Sequence, residues 1–326
     1  MLKFDMEKID GNVLIIYNPN SGRGRGMRWA QRLEENITKH GGKVGEVFCS
    51  NSIARVYEFC ELNLGNPKNF SLALIIGGDG TLSPWVDAMI RHDFRVPIYA
   101  FGRGTANDFA TFLRTNRSIK RTAQIITAGS QERAKITPPR IREMDTLEFR
   151  HGMGTHPRYA INVACGGAFT NGVTNYSKRG KILFGKLAYM FKALGVACKM
   201  RAQLMKFTID GKETRADVYL FLILNSPNAG SIRKINPNSC PWDGQLELVA
   251  FKKCGFWGKI SLAFSGLFKR LSRNKHVLVL PGITFHIEPS AEPNPNFTLT
   301  DIDGNKGEPY PLLVSLSDKK APFVVA

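Results

Sequence analysis

Asp79 lies in Gly77-Gly-Asp-Gly-Thr81, directly after the apolar run Leu72-Ala-Leu-Ile-Ile76. Glycine lets a backbone approach a bulky anion and take positive φ. An acid at the carboxyl end of a strand stands where ligands bind in open α/β sheets, and such an acid can hold a metal ion against phosphates. Gly78, Gly80 and Thr81 offer backbone N–H groups and a hydroxyl beside it. Two more turns of this kind flank the first. In Asn18-Pro-Asn-Ser-Gly22, Pro19 fixes φ, Ser21 offers a hydroxyl and Gly22 frees successive N–H groups to line an anion nest, with Arg23 and Arg25 adding charge. In Gly102-Arg-Gly-Thr-Ala-Asn-Asp-Phe109, Gly104 and Thr105 make a tight turn, while Asn107 and Asp108 either cap the next helix or hydrogen-bond a nucleotide. The GxxxxGK[ST] loop is absent. Three such turns suit a nucleoside polyphosphate.

The elements that must position these turns alternate. Residues 12–17, 43–48, 72–76 and 96–101 read as strands, and the segments through Trp29, Leu33 and Ile37, 53–62 and 82–91 as helices. That rhythm predicts a doubly wound parallel sheet with helices on both faces. Near 136–140 it changes. Apolar or alternating runs at 144–149, 159–164, 204–209, 218–224, 246–251, 277–280, 284–287 and 312–316 predict an antiparallel, β-sandwich-like domain, interrupted by helices at 183–198 and 256–271. The expected division is an α/β nucleotide domain at 1–137 and a β-rich domain at 138–316, with a tail at 317–326 that can return to the first.

Composition bounds the rest. The 326 residues suffice for two cores, no apolar run is long enough to cross a bilayer, and the amino terminus lacks an apolar signal region, so a cytoplasmic protein is expected. Six scattered cysteines form no CxxC pair and read as reduced thiols. Lys and Arg number 45 against 27 acids, a net +18 that favours polyanions.

NPNSG at 18–22, GGDGT at 77–81 and GTANDFA at 104–110, in this order, resemble the bacterial diacylglycerol kinase and sphingosine-kinase-like lipid kinase family. The likeness runs nearly the full length, through the strand from Tyr159, Gly185-Lys-Leu-Ala-Tyr189 and Pro241-Trp-Asp-Gly-Gln-Leu246. GGDGT alone is shared with NAD kinases and phosphofructokinases; GT-x-ND-F and the downstream matches are specific to lipid kinases. The resemblance implies ATP held by the first domain, with Asn18, Ser21, Gly78, Thr81, Thr105 and Asn107 facing it and Asp79 in the Mg2+ network. It implies a lipid hydroxyl, foremost that of diacylglycerol, presented by the second. Asp243, with the carbonyls of Cys240 and Gln245, is similar to a structural magnesium site. Asp303, in Leu299-Thr-Asp-Ile-Asp-Gly304, matches the aspartate of a D-G-E motif that serves as general base. The third position here is Asn305, which loses a negative charge. Asp301, expected on the same side of a strand as Asp303, is the rival base, and a turn-stabilising role is the alternative for Asp303.

Residues 178–206 carry eight Lys or Arg and no acid, and 252–275 carry seven and no acid. In the latter, Phe256, Ile260, Phe264, Leu267 and Leu271 recur at intervals of three or four, while Lys259, Lys269, Arg270 and Arg273 flank them. Such helices either pack conventionally with a solvated basic face or dock peripherally on an anionic membrane. No nucleic-acid module is present, so no nucleic-acid partner is expected. Exposed sheet edges could pair two copies into a homodimer. Two readings result: a membrane-visiting lipid kinase, whose acceptor could also be a sphingoid or another glycerolipid, and a nucleotide-dependent membrane-binding protein that has lost its chemistry.

Overall fold

The computed structural model describes residues 12–66, 68–115, 117–127, 140–150, 156–167, 201–292 and 297–325. The helix expected at 183–198 lies outside them. The chain forms two compact units: residues 1–146, 159–161 and 318–326, and residues 147–158 and 162–317.

The first unit is built on a six-stranded sheet whose strands lie in the order Lys43–Cys49, Asn12–Tyr17, Phe70–Gly77, Ile98–Gly102, Ala321–Val325 and Arg140–Met144. β1 (Asn12–Tyr17), β2 (Lys43–Cys49), β3 (Phe70–Gly77) and β4 (Ile98–Gly102) run parallel. The runs of β1, β3 and β4 are buried almost without interruption, as strands covered on both faces must be. α1 (Gly26–Lys39) turns Ala30, Leu33 and Ile37 inward onto this sheet. It ends where Gly41 takes φ +80° and the Gly42 N–H returns to the Ile37 carbonyl at 2.9 Å. α2 (Ile53–Leu62), α3 (Asp79–Arg91), α4 (Asp108–Phe112) and α5 (Ile119–Thr127) complete the helices described in this unit. β17 (Ala321–Val325) lies beside β4 in parallel and pairs antiparallel with β5 (Arg140–Met144), so the first unit reaches Thr146 rather than ending near 137.

Two expected strands prove to be broken. The run 144–149 divides into β5 and β6 (Leu147–Phe149), which belong to different sheets. Between them Asp145 accepts from Lys320 Nζ at 2.6 Å and Thr146 Oγ1 donates to the Lys319 carbonyl at 2.6 Å. The run 159–164 divides into β7 (Arg158–Ala160) and β8 (Val163–Gly167).

The second unit is antiparallel. Its sheet runs β15-β14-β8-β10-β9-β13-β16-β6, from β14 (Thr300–Ile302) and β15 (Asn305–Lys306) through β9 (Gln203–Ile209), β13 (Thr284–Pro289) and β16 (Leu312–Leu316). β10 (Lys212–Leu224) changes character along its length. Residues 212–217 are largely exposed and pair with β9, whereas 218–224 are buried, with Leu220–Leu224 between β8 and β11 (Leu246–Lys252). β12 (Val277–Gly282) continues from β11, and α6 (Phe256–Leu267) connects the two, ending four residues before the expected 271 in a 3-10 turn at Leu271–Arg273. Among the described residues no helix is long and apolar enough to cross a membrane.

Candidate functional site

The three glycine-rich turns meet. Asn18 Nδ2 donates to Thr81 Oγ1 at 3.2 Å, joining the first turn to the second. The second and third touch backbone to backbone: a Cβ on Gly104 would stand 2.4 Å from the Gly78 Cα, too close for any side chain. Gly22 lies close under Trp29, since a Cβ on it would stand 3.2 Å from Trp29 Nε1. Gly22, Arg23 and Gly24 all take positive φ, so residues 21–24 are a left-handed turn ahead of α1. Gly26 is fixed by contact, since any Cβ there would overlap the Asn18 carbonyl.

The second turn is tighter than expected from the sequence. The helix expected from 82 begins at Asp79, which places Asp79, Gly80 and Thr81 in the first turn of α3. Asp79 Oδ2 accepts the Asp108 N–H at 2.9 Å and Oδ1 the Phe109 N–H at 3.1 Å. Asp79 therefore caps α4 from a distance of some thirty residues in sequence. Burial raises its pKa, opposed by those N–H bonds and by the charge of Arg117. Because a carboxylate oxygen has a second lone pair, capping leaves room for a metal contact.

Asn107, the residue before α4, makes no capping bond. It adopts φ +51° and turns its amide back on Gly104, with Oδ1 accepting the Gly104 N–H at 2.6 Å and Nδ2 donating to its carbonyl at 2.8 Å. Asn107 thus holds the third turn while Asp79 caps the helix. Ser21 and Thr81 are buried, and Gly80 and Thr105 are exposed. Arg103 was not foreseen: its guanidinium lies 3.8 Å from the Trp29 ring centroid, and burial together with Arg117 lowers its pKa.

The remaining candidates belong to the second unit. Asp303 and Gly304 take φ +52° and +81° between the paired Ile302 and Asn305, a two-residue hairpin turn for which Asp-Gly is the expected sequence. β14 ends at Ile302, so Asp303 leaves the strand and does not share a strand face with Asp301, against expectation. Asp303 is buried, and its Oδ1 accepts the N–H groups of Asn162 at 3.1 Å and Val163 at 2.8 Å. Asp301 Oδ1 accepts the Gly304 N–H at 2.8 Å, and burial raises its pKa. Burial, then the charges of Asp301 and Asp303, raise the pKa of the Cys165 thiol. Asn305 Nδ2 is buried without a hydrogen-bond partner.

The Cys240 carbonyl receives the Trp242 N–H at 2.8 Å and the Asp243 N–H at 3.3 Å, and Asp243 Oδ1 receives the Gln245 N–H at 3.1 Å. Glu247 is the residue missed here. It is buried, its Oε2 has no partner, and burial, compounded by the Asp243 charge, pushes its pKa up to about 7. Glu247 is the second residue of β11, just after the Asp243-Gly244 turn, in which Gly244 takes φ +76°. A buried carboxyl with an unpartnered oxygen next to a second acid suits a divalent cation.

Residues 12–138 match the family described as "Diacylglycerol kinase catalytic domain", and residues 164–319 match the "YegS C-terminal NAD kinase beta sandwich-like domain". The diacylglycerol kinase of Bacillus subtilis (strain 168) is 25% identical over 267 residues, 81% of each chain. That of Staphylococcus carnosus (strain TM300) is 24% identical over 264 residues, 81% of this chain and 78% of its own. A solved structure of a diacylglycerol kinase from Bacillus anthracis str. Sterne shares the fold, with a TM-score of 0.70 over 97% of each chain at 19% identity. With both matched domains present in order and together spanning most of its length, the chain belongs to the diacylglycerol-kinase-like lipid kinase family.

Proposed function

We propose that the protein transfers the γ-phosphate of ATP to the hydroxyl of a lipid, with diacylglycerol as acceptor and phosphatidic acid and ADP as products. The observation that carries this reading is the joining of the second turn to both others, through the Asn18–Thr81 hydrogen bond and the Gly78–Gly104 backbone approach. They gather N–H groups, a helix N-terminus and glycine surfaces in one place, as a polyphosphate requires. Phosphoryl transfer then depends on positioning and charge. Asp303 is the proposed acceptor of the hydroxyl proton, and the freed oxygen attacks the γ-phosphorus as ADP departs. Asp243, Glu247 and the carbonyls of Cys240 and Gln245 would hold a structural Mg2+, and Asp79 would join the catalytic Mg2+ network. Magnesium, when bound, neutralises phosphate charge.

The test is purified protein with labelled ATP, Mg2+ and mixed-micelle diacylglycerol, followed by a lipid-extract screen. Transfer abolished by Asp303→Ala and kept by Asp301→Ala supports the assignment. A second reading, a nucleotide-dependent membrane-binding protein without turnover, is favoured by the unpartnered Asn305 amide where the family motif has Glu. Inactivity on every lipid while nucleotide still binds would select it.

A further inference from the structure

α6 is inside out. At the ~100° per residue of an α-helix, Phe256, Leu267, Ile260, Phe264, Trp257 and Phe268 fall within one arc of about 120°. That arc faces solvent: Trp257 is 79% exposed, Phe268 65% and Phe256 56%, and the helix buries no residue completely. The side that meets the protein is small and polar. Ser261 and Ser265 hydroxyls accept from Asn274 Nδ2 at 2.9 and 2.7 Å, the Lys259 ammonium lies 5.0 Å from the Tyr219 ring centroid, and only Leu262 packs against the buried cluster beneath. Leu271, which the periodicity assigned to the same stripe, is buried in the 3-10 turn instead. An ordinary amphipathic helix presents its faces the other way.

We propose that this aromatic arc is an interfacial docking surface for an anionic lipid bilayer. Lys269, Arg270 and Arg273 stand exposed at its carboxyl end and Lys253 just ahead of it, and residues 252–275 contain no acid. Aromatic and aliphatic side chains at the centre with cations around them match an acyl boundary beneath anionic headgroups. A second copy of the same face is disfavoured, because a two-fold contact would bring Lys253, Lys269, Arg270 and Arg273 towards their own counterparts with no acid between them. The choice of a lipid surface rests on the lipid-kinase reading; the outward orientation of the arc does not.

The experiment is sedimentation of the full chain with phosphatidylcholine vesicles, with or without phosphatidylglycerol. Binding is expected only when phosphatidylglycerol is present, and it should fade as salt rises towards ~1 M. Lys269→Gln should weaken it about fivefold, and so should Arg270→Gln. Trp257→Ala with Phe268→Ala should weaken it at least about tenfold with an unchanged melting temperature. Both sets should keep their turnover of a water-soluble short-chain diacylglycerol. Equal binding to neutral vesicles, insensitivity to salt, undiminished binding by the aromatic variant, or loss of turnover on the soluble substrate would each overturn the inference. So would a dimer that the aromatic substitutions dissociate, which would make a second copy the occupant. If the wild-type chain phosphorylates no lipid yet binds anionic vesicles through this face, the proposed function fails and the docking surface stands.

Discussion

Asp79 and Asp303 look alike in the sequence, each an acid beside a glycine at a strand end, and each fastens two backbone N–H groups from a distant segment. They differ in how the two bonds are shared. Asp79 divides them, one on each oxygen, across the first two residues of α4. Asp303 gathers both on Oδ1 from within a hairpin turn. An amide, with one oxygen and one nitrogen, can reproduce the second arrangement but not the first. The same conservative substitution therefore tests the two positions differently.

Asp303→Asn gives the largest expected effect. The Asn oxygen can still accept from Asn162 and Val163, so those two bonds should persist while turnover falls about a thousandfold with the loss of the base. Retained turnover would reduce Asp303 to a turn residue.

Glu247 extends the comparison to a buried acid that is hydrogen-bonded by the Ser239 side chain, while its Oε2 has no hydrogen-bond partner among the described residues. Its ordinary value is 4.5 and its folded value about 7. Below pH 4.5 both folded and unfolded states hold the proton. Between the two values the unfolded chain ionises first, so metal-free stability should fall as pH rises, by roughly 3 kcal/mol in all, and then level off. Denaturant titrations across pH should show that slope, and Glu247→Gln or added Mg2+ should flatten it.

Asp79→Asn is expected to remove about 2 kcal/mol of stability, because its NH2 group must face one of the two N–H donors. A destabilisation equal to that of Asp303→Asn, measured by urea unfolding, would erase the contrast. Smallest is Asn107→Ala, which frees the Gly104 N–H and carbonyl and should cost about 1 kcal/mol. Isothermal titration should show a parallel loss of nucleotide affinity of about fivefold, since the third turn loses its clasp.

Legibility in the sequence followed the range of the forces involved. β1 is read to the residue because a β-branched run ends at Asn18-Pro19, and parallel strands buried on both faces are continuous in apolar residues. The break at Asp145-Thr146 is illegible because its partners, Lys319 and Lys320, lie more than 170 residues away. Asp303-Gly304 is a turn signal that ends the alternation, so Asp301 and Asp303 do not share a face. α6 marks a different limit: periodicity locates an apolar arc and says nothing about which way it points. The three glycine-rich turns are legible in the sequence as turns after strands. Their closure through Asn18, Asn107 and the Gly78–Gly104 contact depends on tertiary geometry.

β17 fills the place between β4 and β5, yet it is translated after every strand of the second unit. On the ribosome, the parallel sheet must wait with a gap between two of its members until the second unit has been made. Closure of the first unit's sheet therefore comes after synthesis of the second unit, and β4 waits as an open edge until β17 arrives.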